Sequence, residues 1–276
     1  MRKKLTGCMA VLMAAALVVT GCSMGKGGGG KSRTMDFSAK TEWRKPEPPA
    51  GELPTILFVG NSHTFTNDLP GTFYDLAESL GRECDVYDLT EGYYTLERFA
   101  DPEDELGSVL DEALTVQNWD FVILQENTGN AVSTKADEEM FPFARTLDQK
   151  IKDVGGQTAF LMTWSPKNGV KSGGLALGRD EIQTMLAENY MAIADELNDL
   201  VIPAGIGFMR CAGQYPDIEL WDEDEQHPSP AGTYLAACTA YSVIFGESPE
   251  NASFTGELDS DTAGKLQTLA RELVLD

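Results

Sequence analysis

Histidine is scarce in this sequence: its 276 residues include only two, His63 and His227. Any chemistry that needs an imidazole base must use one of them. Cations are also few, with 21 Lys and Arg against 44 Asp and Glu, a net charge of −23. Nucleic-acid binding needs a basic footprint, and none is present. An acidic balance of this kind reads as a solubility device, not a substrate preference. The 5 cysteines show no CxxC spacing and no Cys/His cluster, so the sequence suggests neither a zinc site nor any other metal or cofactor. Beyond the N-terminal stretch no apolar segment is long enough to span a bilayer, and there is no internal repeat.

The chain opens "MRKKLTGCMAVLMAAALVVTGCS". Arg2, Lys3 and Lys4 precede an apolar stretch that ends in small residues, the layout of a secretory signal. Its end, Val19-Thr20-Gly21-Cys22, resembles a bacterial lipobox. That resemblance implies a signal peptide over 1–21, cleavage before Cys22 and lipidation of Cys22. The protein would then be extracytoplasmic and tethered to a membrane by acyl chains alone. Residues 22–52 have Gly-rich, mixed-charge and Pro-rich composition and are expected to form a flexible linker. Within them Gly25 to Ser32, "GKGGGGKS", matches the phosphate-loop pattern by letter. No buried strand precedes it and no helix follows, so the pattern lacks the context that gives it meaning. Cys84 and Cys238 lie in apolar segments and read as buried small hydrophobes.

Residues 53–276 alternate strand-like and helix-like pieces. Strands are expected at Thr55–Val59, Cys84–Leu89, Phe121–Leu124, Thr158–Thr163 and Val201–Ile202. Helices are expected at Asp68–Leu80, Leu96–Val116 (broken near Pro102), Lys135–Val154, Arg179–Leu197, Pro230–Phe245 and Ala263–Leu273. Alternation of this kind builds an α/β fold with a central parallel sheet and helices on both faces. Function in such sheets lies at the carboxyl ends of the strands. The segments there are "GNSHT", "TEGYYT", "QENTGN" and "WSPKNG", with "WDEDEQHPSPAG" standing before the last long apolar helix.

Ser62 follows the first strand and is a candidate nucleophile. A nucleophilic serine needs a base, and the base needs an orienting group. His227 has Asp224 three residues earlier and Pro228 directly after it. His63 has no nearby carboxylate, and its side chain diverges from that of its neighbour Ser62. The candidate triad is therefore Ser62, His227 and Asp224, with Asp222 or Glu223 as other orienters in the same acidic run. A plainer reading makes Ser62 a helix N-cap, Gly92 a turn glycine, and Gln125 and Asn127 loop-closing residues. His63, Tyr93 and Trp164 are candidates for a pocket wall, with ordinary packing as the other reading for each.

"VGNSHT" resembles the first conserved block of the SGNH (GDSL-like) hydrolases, with Asn61 where Asp is commoner, and "DEQHPSPAG" resembles their last, D-x-x-H-P. "NDLPGTFYDLAESLG", "DFVILQEN" and "HPSPAGTYLAACTAYSVIFG" resemble a bacterial extracytoplasmic branch. The resemblance covers roughly Thr55 to Pro249 and implies a flavodoxin-like three-layer α/β/α sandwich. It also implies a Ser-His-Asp triad that cleaves esters. The oxyanion hole it implies combines the Ser62 N–H, a Gly N–H matched by Gly92, and a side-chain amide. That amide belongs to a G-x-N-D block, here replaced by Gln125-Glu126-Asn127-Thr128, which leaves Asn127 or Gln125 as donor. The reading is an exported, lipid-anchored serine esterase acting on short acyl, acetyl-type esters carried by small molecules or glycans. An O-acyltransferase would look the same at these motifs. A non-catalytic glycan- or partner-binding lipoprotein on a hydrolase scaffold is the third reading. Oligomeric state is not legible.

Overall fold

Ile56, Leu57, Phe58 and Val59 are all fully buried although they alternate sides of their strand, because helices cover both faces of the sheet. The computed structural model describes residues 2–4, 34–172 and 175–276. Eight strands are described: β1 (Arg2–Lys4), β2 (Thr55–Gly60), β3 (Asp85–Thr90), β4 (Phe121–Leu124), β5 (Gln157–Leu161), β6 (Val170–Ser172), β7 (Leu175–Leu177) and β8 (Leu200–Ile202). β6 and β7 form a small antiparallel hairpin. The others form one sheet in the order β1-β3-β2-β4-β5-β8, with every pairing parallel.

The five body strands follow the doubly wound pattern in which the first lies between the second and the third. Chain direction across the sheet reverses at the β2/β4 boundary. In sheets of this kind ligand sites lie at this boundary, at the strands' carboxyl ends, where Ser62 follows β2 and Gln125 follows β4. Ile56 and Phe58 point into one apolar layer with the Leu69–Ser79, Ala204–Gln214, Pro230–Phe245 and Ser260–Val274 helices. Leu57 and Val59 point into the opposite layer with the Glu105–Val116, Phe141–Asp153 and Arg179–Leu197 helices. The result is a three-layer α/β/α sandwich.

The Leu96–Val116 region is broken near Pro102 as expected, into Leu96–Ala100 and Glu105–Val116. Other elements differ from expectation for identifiable reasons. The Lys135–Val154 region is two helices, Ala136–Glu139 and Phe141–Asp153. Pro142 lacks an N–H and suits a first turn, so it starts a new helix there. The Ala204–Gln214 helix, "AGIGFMRCAGQ", is too rich in glycine for periodicity to reveal. Its buried Ile206 and Phe208 hold it by tertiary packing.

Residues 34–52 are not a free linker. They form a strap across the domain. The Met35 N–H donates to Thr184 Oγ1 at 2.9 Å, and Arg210 donates to the Phe37 and Ala39 carbonyls at 2.7 and 2.8 Å. The Trp43 indole N–H donates to Leu273 O at 2.9 Å, and Glu47 exchanges two hydrogen bonds with the Gln157 side chain. Met35, Phe37 and Trp43 also pack against the core. Cys22 and the Gly25–Ser32 stretch lie outside the described residues, as does most of the expected signal peptide. Cys84, Cys211 and Cys238 are all buried. Among the described residues no helix is long and apolar enough to cross a membrane.

Candidate active site

β2 ends at Gly60, and the chain turns at once into the short Ser62–Phe65 helix. A glycine is needed at the turn: a Cβ on Gly60 would lie 2.5 Å from Thr64 Oγ1 and 2.6 Å from Gln125 Oε1. Asn61 is the N-cap, accepting from the His63 N–H at 3.2 Å, while its Nδ2 donates to the Tyr94 carbonyl at 2.9 Å. A carboxylate could cap but could not donate, which accounts for Asn where Asp was the commoner choice. Ser62 is therefore not the cap, and its Oγ is left for other work.

That Oγ lies 2.8 Å from His227 Nε2. The other ring nitrogen, Nδ1, hydrogen-bonds Asp224 Oδ2. With Asp224 on Nδ1, the ring proton sits there and Nε2 is free to accept from Ser62. Asp224 Oδ1 also accepts from the Gln226 and His227 N–H groups, both at 2.9 Å. Desolvation raises the Asp224 pKa, but these hydrogen bonds outweigh it and hold the carboxyl below its ordinary range. Asp222 and Glu223 are not at the ring; Asp222 Oδ1 accepts from the Glu223 N–H at 2.8 Å.

The histidine loop is closed by its own backbone. The Asp222 N–H donates to His227 O at 2.8 Å and the Ser229 N–H to Leu220 O at 3.0 Å, with Glu225 at φ 62° making the tight turn. Gly232 allows the following helix to start against this loop, since a Cβ there would lie 2.2 Å from Leu220 O. Two neighbouring loops hold it in register. The Trp164 indole N–H donates to Gln226 O at 3.1 Å, and Asn67 Nδ2 donates to Pro228 O at 2.7 Å. Asn67 and Asp68 both adopt left-handed backbone, at φ 52° and 57°, a conformation Asn and Asp tolerate better than most. Sequence reasoning missed Asn67. The "TND" turn after "SHTF" was the available signal.

The pocket-wall candidates separate. Trp164 is buried and stacks on Phe208 at 4.2 Å, so it supports the histidine loop from behind and offers no stacking face to a substrate. His63 packs between Trp164 and His227, 5.4 Å from each ring centre. Burial, and secondarily His227, push its pKa down to about 3, so its ring is neutral across the physiological range. Tyr93 is 51% exposed at φ 62° beside Gly92.

The amide candidates separate as well. Gln125 is fully buried, and its Oε1 accepts from the Asn61 N–H at 2.8 Å and the Thr64 hydroxyl at 2.9 Å. Its Nε2 donates to Glu126 O at 2.6 Å. Gln125 thus braces the serine turn through Oε1, with its buried Nε2 held by the Glu126 carbonyl. Asn127 is half-buried, and its Oδ1 caps the Gly129 N–H at 2.9 Å. That bond orients the amide and leaves Nδ2 to donate elsewhere. The Gly92 N–H holds Glu91 Oε1 at 2.8 Å. It can serve an oxyanion only after that carboxylate moves. Among the described residues no group of three or more His, Cys, Asp or Glu is arranged to hold a metal.

The fold and site can be set beside known proteins. A candidate SGNH hydrolase from Slackia heliotrinireducens is 29% identical, with a TM-score of 0.58 over 69% of this chain and 98% of that one. The chain belongs to the SGNH hydrolase superfamily. The SGNH fold is shared at lower identity by a DUF4886 family protein from Bacteroides uniformis, at 16% identity and TM-score 0.66 over 79% and 93% of the two chains. An acetylxylan esterase, Axe2 from Geobacillus stearothermophilus, is similar at 15% identity and TM-score 0.51 over 69% and 94%. No family sequence model matches this SGNH chain, and no curated protein matches it by sequence.

Proposed function

We propose that this SGNH chain is a serine ester hydrolase with Ser62 as nucleophile, His227 as base and Asp224 as orienter. One observation carries the reading: the Ser62 Oγ to His227 Nε2 hydrogen bond of 2.8 Å, with Asp224 on the other ring nitrogen. In the reaction Ser62 Oγ adds to the acyl carbonyl carbon as its proton passes to Nε2. Negative charge collects on the carbonyl oxygen, next to the Ser62 N–H and the Asn127 amide. Collapse breaks the bond to the alcohol oxygen, which takes the proton from His227. Water then adds to the acyl-enzyme by the same route and releases the acid and Ser62. A serine-directed fluorophosphonate is expected to label the folded protein once, at Ser62. A folded chain that resists labelling would count decisively against the reading.

The substrate we infer is a short acyl ester on a small alcohol or a glycan. Supporting this, the exposed large apolar side chains among the described residues are scattered: Leu53, Phe65, Tyr93, Val116 and Leu275. So few exposed apolar side chains offer little surface for a long acyl chain. Phe65 lies three residues from Ser62 in the same helical turn and Tyr93 adjoins Gly92, so both can border the alcohol portion.

Asn127→Ala is expected to lower kcat by about 10²–10³ with little change in KM, because an oxyanion donor acts on charge present only in the transition state. Gln125→Ala should instead lower thermal stability. It leaves the buried Asn61 N–H and Thr64 hydroxyl without an acceptor, at a cost of about 1–3 kcal/mol for each unsatisfied group. Steady-state kinetics beside thermal melts distinguish the two roles. Equal kcat for Asn127→Ala and wild type would remove Asn127 from the hole.

We further propose that the protein is exported and anchored through lipid on Cys22. Cleavage before Cys22 would remove β1 and leave β3 as the sheet edge. Cys22→Ser is expected to move the protein from the membrane fraction to the soluble one, or to leave it uncleaved. Unchanged processing and partition in fractionated cells would show a different anchor.

A further inference from the structure

Three consecutive residues after β4 each hold a different part of the site. Gln125 braces the serine turn, and Asn127 presents the amide. Between them Glu126 is fully buried, with no role in the mechanism above. Its Oε1 accepts from the Asn127 N–H at 2.5 Å, and the Leu96 N–H reaches both carboxyl oxygens at 3.3 and 3.4 Å. Leu96 begins the helix that follows the Gly92–Thr95 segment. In the same segment, the Tyr94 carbonyl accepts from Asn61 Nδ2 at 2.9 Å. The contacts close a circuit: from Asn61 to the loop after β3, from that loop to Glu126, and from Gln125 back to Asn61.

We infer that Glu126 is a positioning residue for the oxyanion hole, its buried carboxyl clamping the loop that carries Gly92 to the loop that carries Asn127. The role deepens the esterase reading and rests on it. Glu126 touches no reacting atom. It acts by fixing the loop that carries the Asn127 amide against the loop that carries Gly92, where small displacements cost rate steeply.

An acid suits the position only if it stays uncharged, since a carboxylate here would oppose the negative charge that forms on the substrate. Burial first raises the Glu126 pKa and nearby Glu97 adds to this, while the Asn127 and Leu96 N–H groups and the Asn130 side chain lower it; the balance is about 8. The other titratable group facing it is the Tyr190 hydroxyl, 3.2 Å from the Glu126 backbone nitrogen and itself raised by burial. Glu126 is therefore predominantly protonated at neutral pH and ionises as pH rises through about 8.

The test uses the full chain and p-nitrophenyl acetate. Glu126→Ala is expected to lower kcat at least tenfold while KM changes less than threefold. Glu126→Gln keeps the Oε1 acceptor and cannot ionise. Its kcat at pH 6.5 should stay within about threefold of wild type, and the loss of kcat that wild type shows above about pH 8 should be absent or displaced upward. The native pKa lies above the ordinary value of 4.5. Glu126 therefore contributes stability most fully below about 4.5 and loses that contribution up to about 8. The melting temperature of Glu126→Gln should accordingly gain on wild type between pH 5 and pH 8. If Glu126→Ala does not fold, Glu126→Gln alone decides. An active wild type whose alkaline limb persists unchanged in Glu126→Gln overturns the positioning role and leaves the esterase reading standing. So does a folded Glu126→Ala with kcat within twofold of wild type. A wild type that neither turns over nor labels overturns both.

Discussion

Ser62→Ala is expected to abolish hydrolysis of p-nitrophenyl acetate, with a loss in kcat on the order of 10⁶. The size follows from the role: without the hydroxyl no acyl-enzyme forms, and the remaining hydrogen-bond donors supply only a residual rate. The fold should survive. Asn61, not Ser62, caps the short helix, and the Ser62 Oγ hydrogen bond is the one to His227. Circular dichroism and thermal melts should therefore match wild type while both turnover and fluorophosphonate labelling vanish. Wild-type rates in the folded variant would remove Ser62 from the chemistry.

His227→Ala is expected to cost nearly as much, and the Ser62→Ala/His227→Ala double variant little more than either single change. Residues that act as one unit show this non-additivity. Without His227 the Ser62 proton has no acceptor at 2.8 Å, and Asp224 loses the ring it orients. His63→Ala makes the internal comparison, because the two rings lie 5.4 Å apart. His63 is neutral and packed between His227 and Trp164, so removing it loosens the support of the His227 ring without removing a proton acceptor. It should keep at least a tenth of the wild-type rate, about 1.4 kcal/mol of barrier or less. The opposite ranking would reassign the base. Two imidazoles this close make the measurement informative, since only the His227 ring carries the hydrogen bond to Ser62 that assigns the base.

What the sequence determined by itself was set by local chemistry. Apolar runs ended by Gly60 and Gly81, and apolar residues at helical spacing between them, specify strands, helices and their order. Order in turn specifies a parallel sheet and a crevice at its carboxyl end. The pairing of His227 with Asp224 was legible too, because the acid lies three residues before the histidine and a turn of that length can close on one ring; that Ser62, 165 residues away, meets the same ring was decided by the fold. The tertiary structure decided what depends on partners distant in the chain. Gln125 and Asn127 carry the same amide, and only the position of the serine turn, 64 residues from Gln125, shows which one is consumed as a brace. Trp164 follows a strand like a substrate wall, yet stacking on Phe208 and a bond to Gln226 O turn it inward. Residues 34–52 have linker composition, but Thr184, Gln157, Arg210 and Leu273 supply hydrogen-bond partners that bind them to the domain. Composition reports what a segment can do alone; the partners a fold supplies decide whether its polar groups face water or each other.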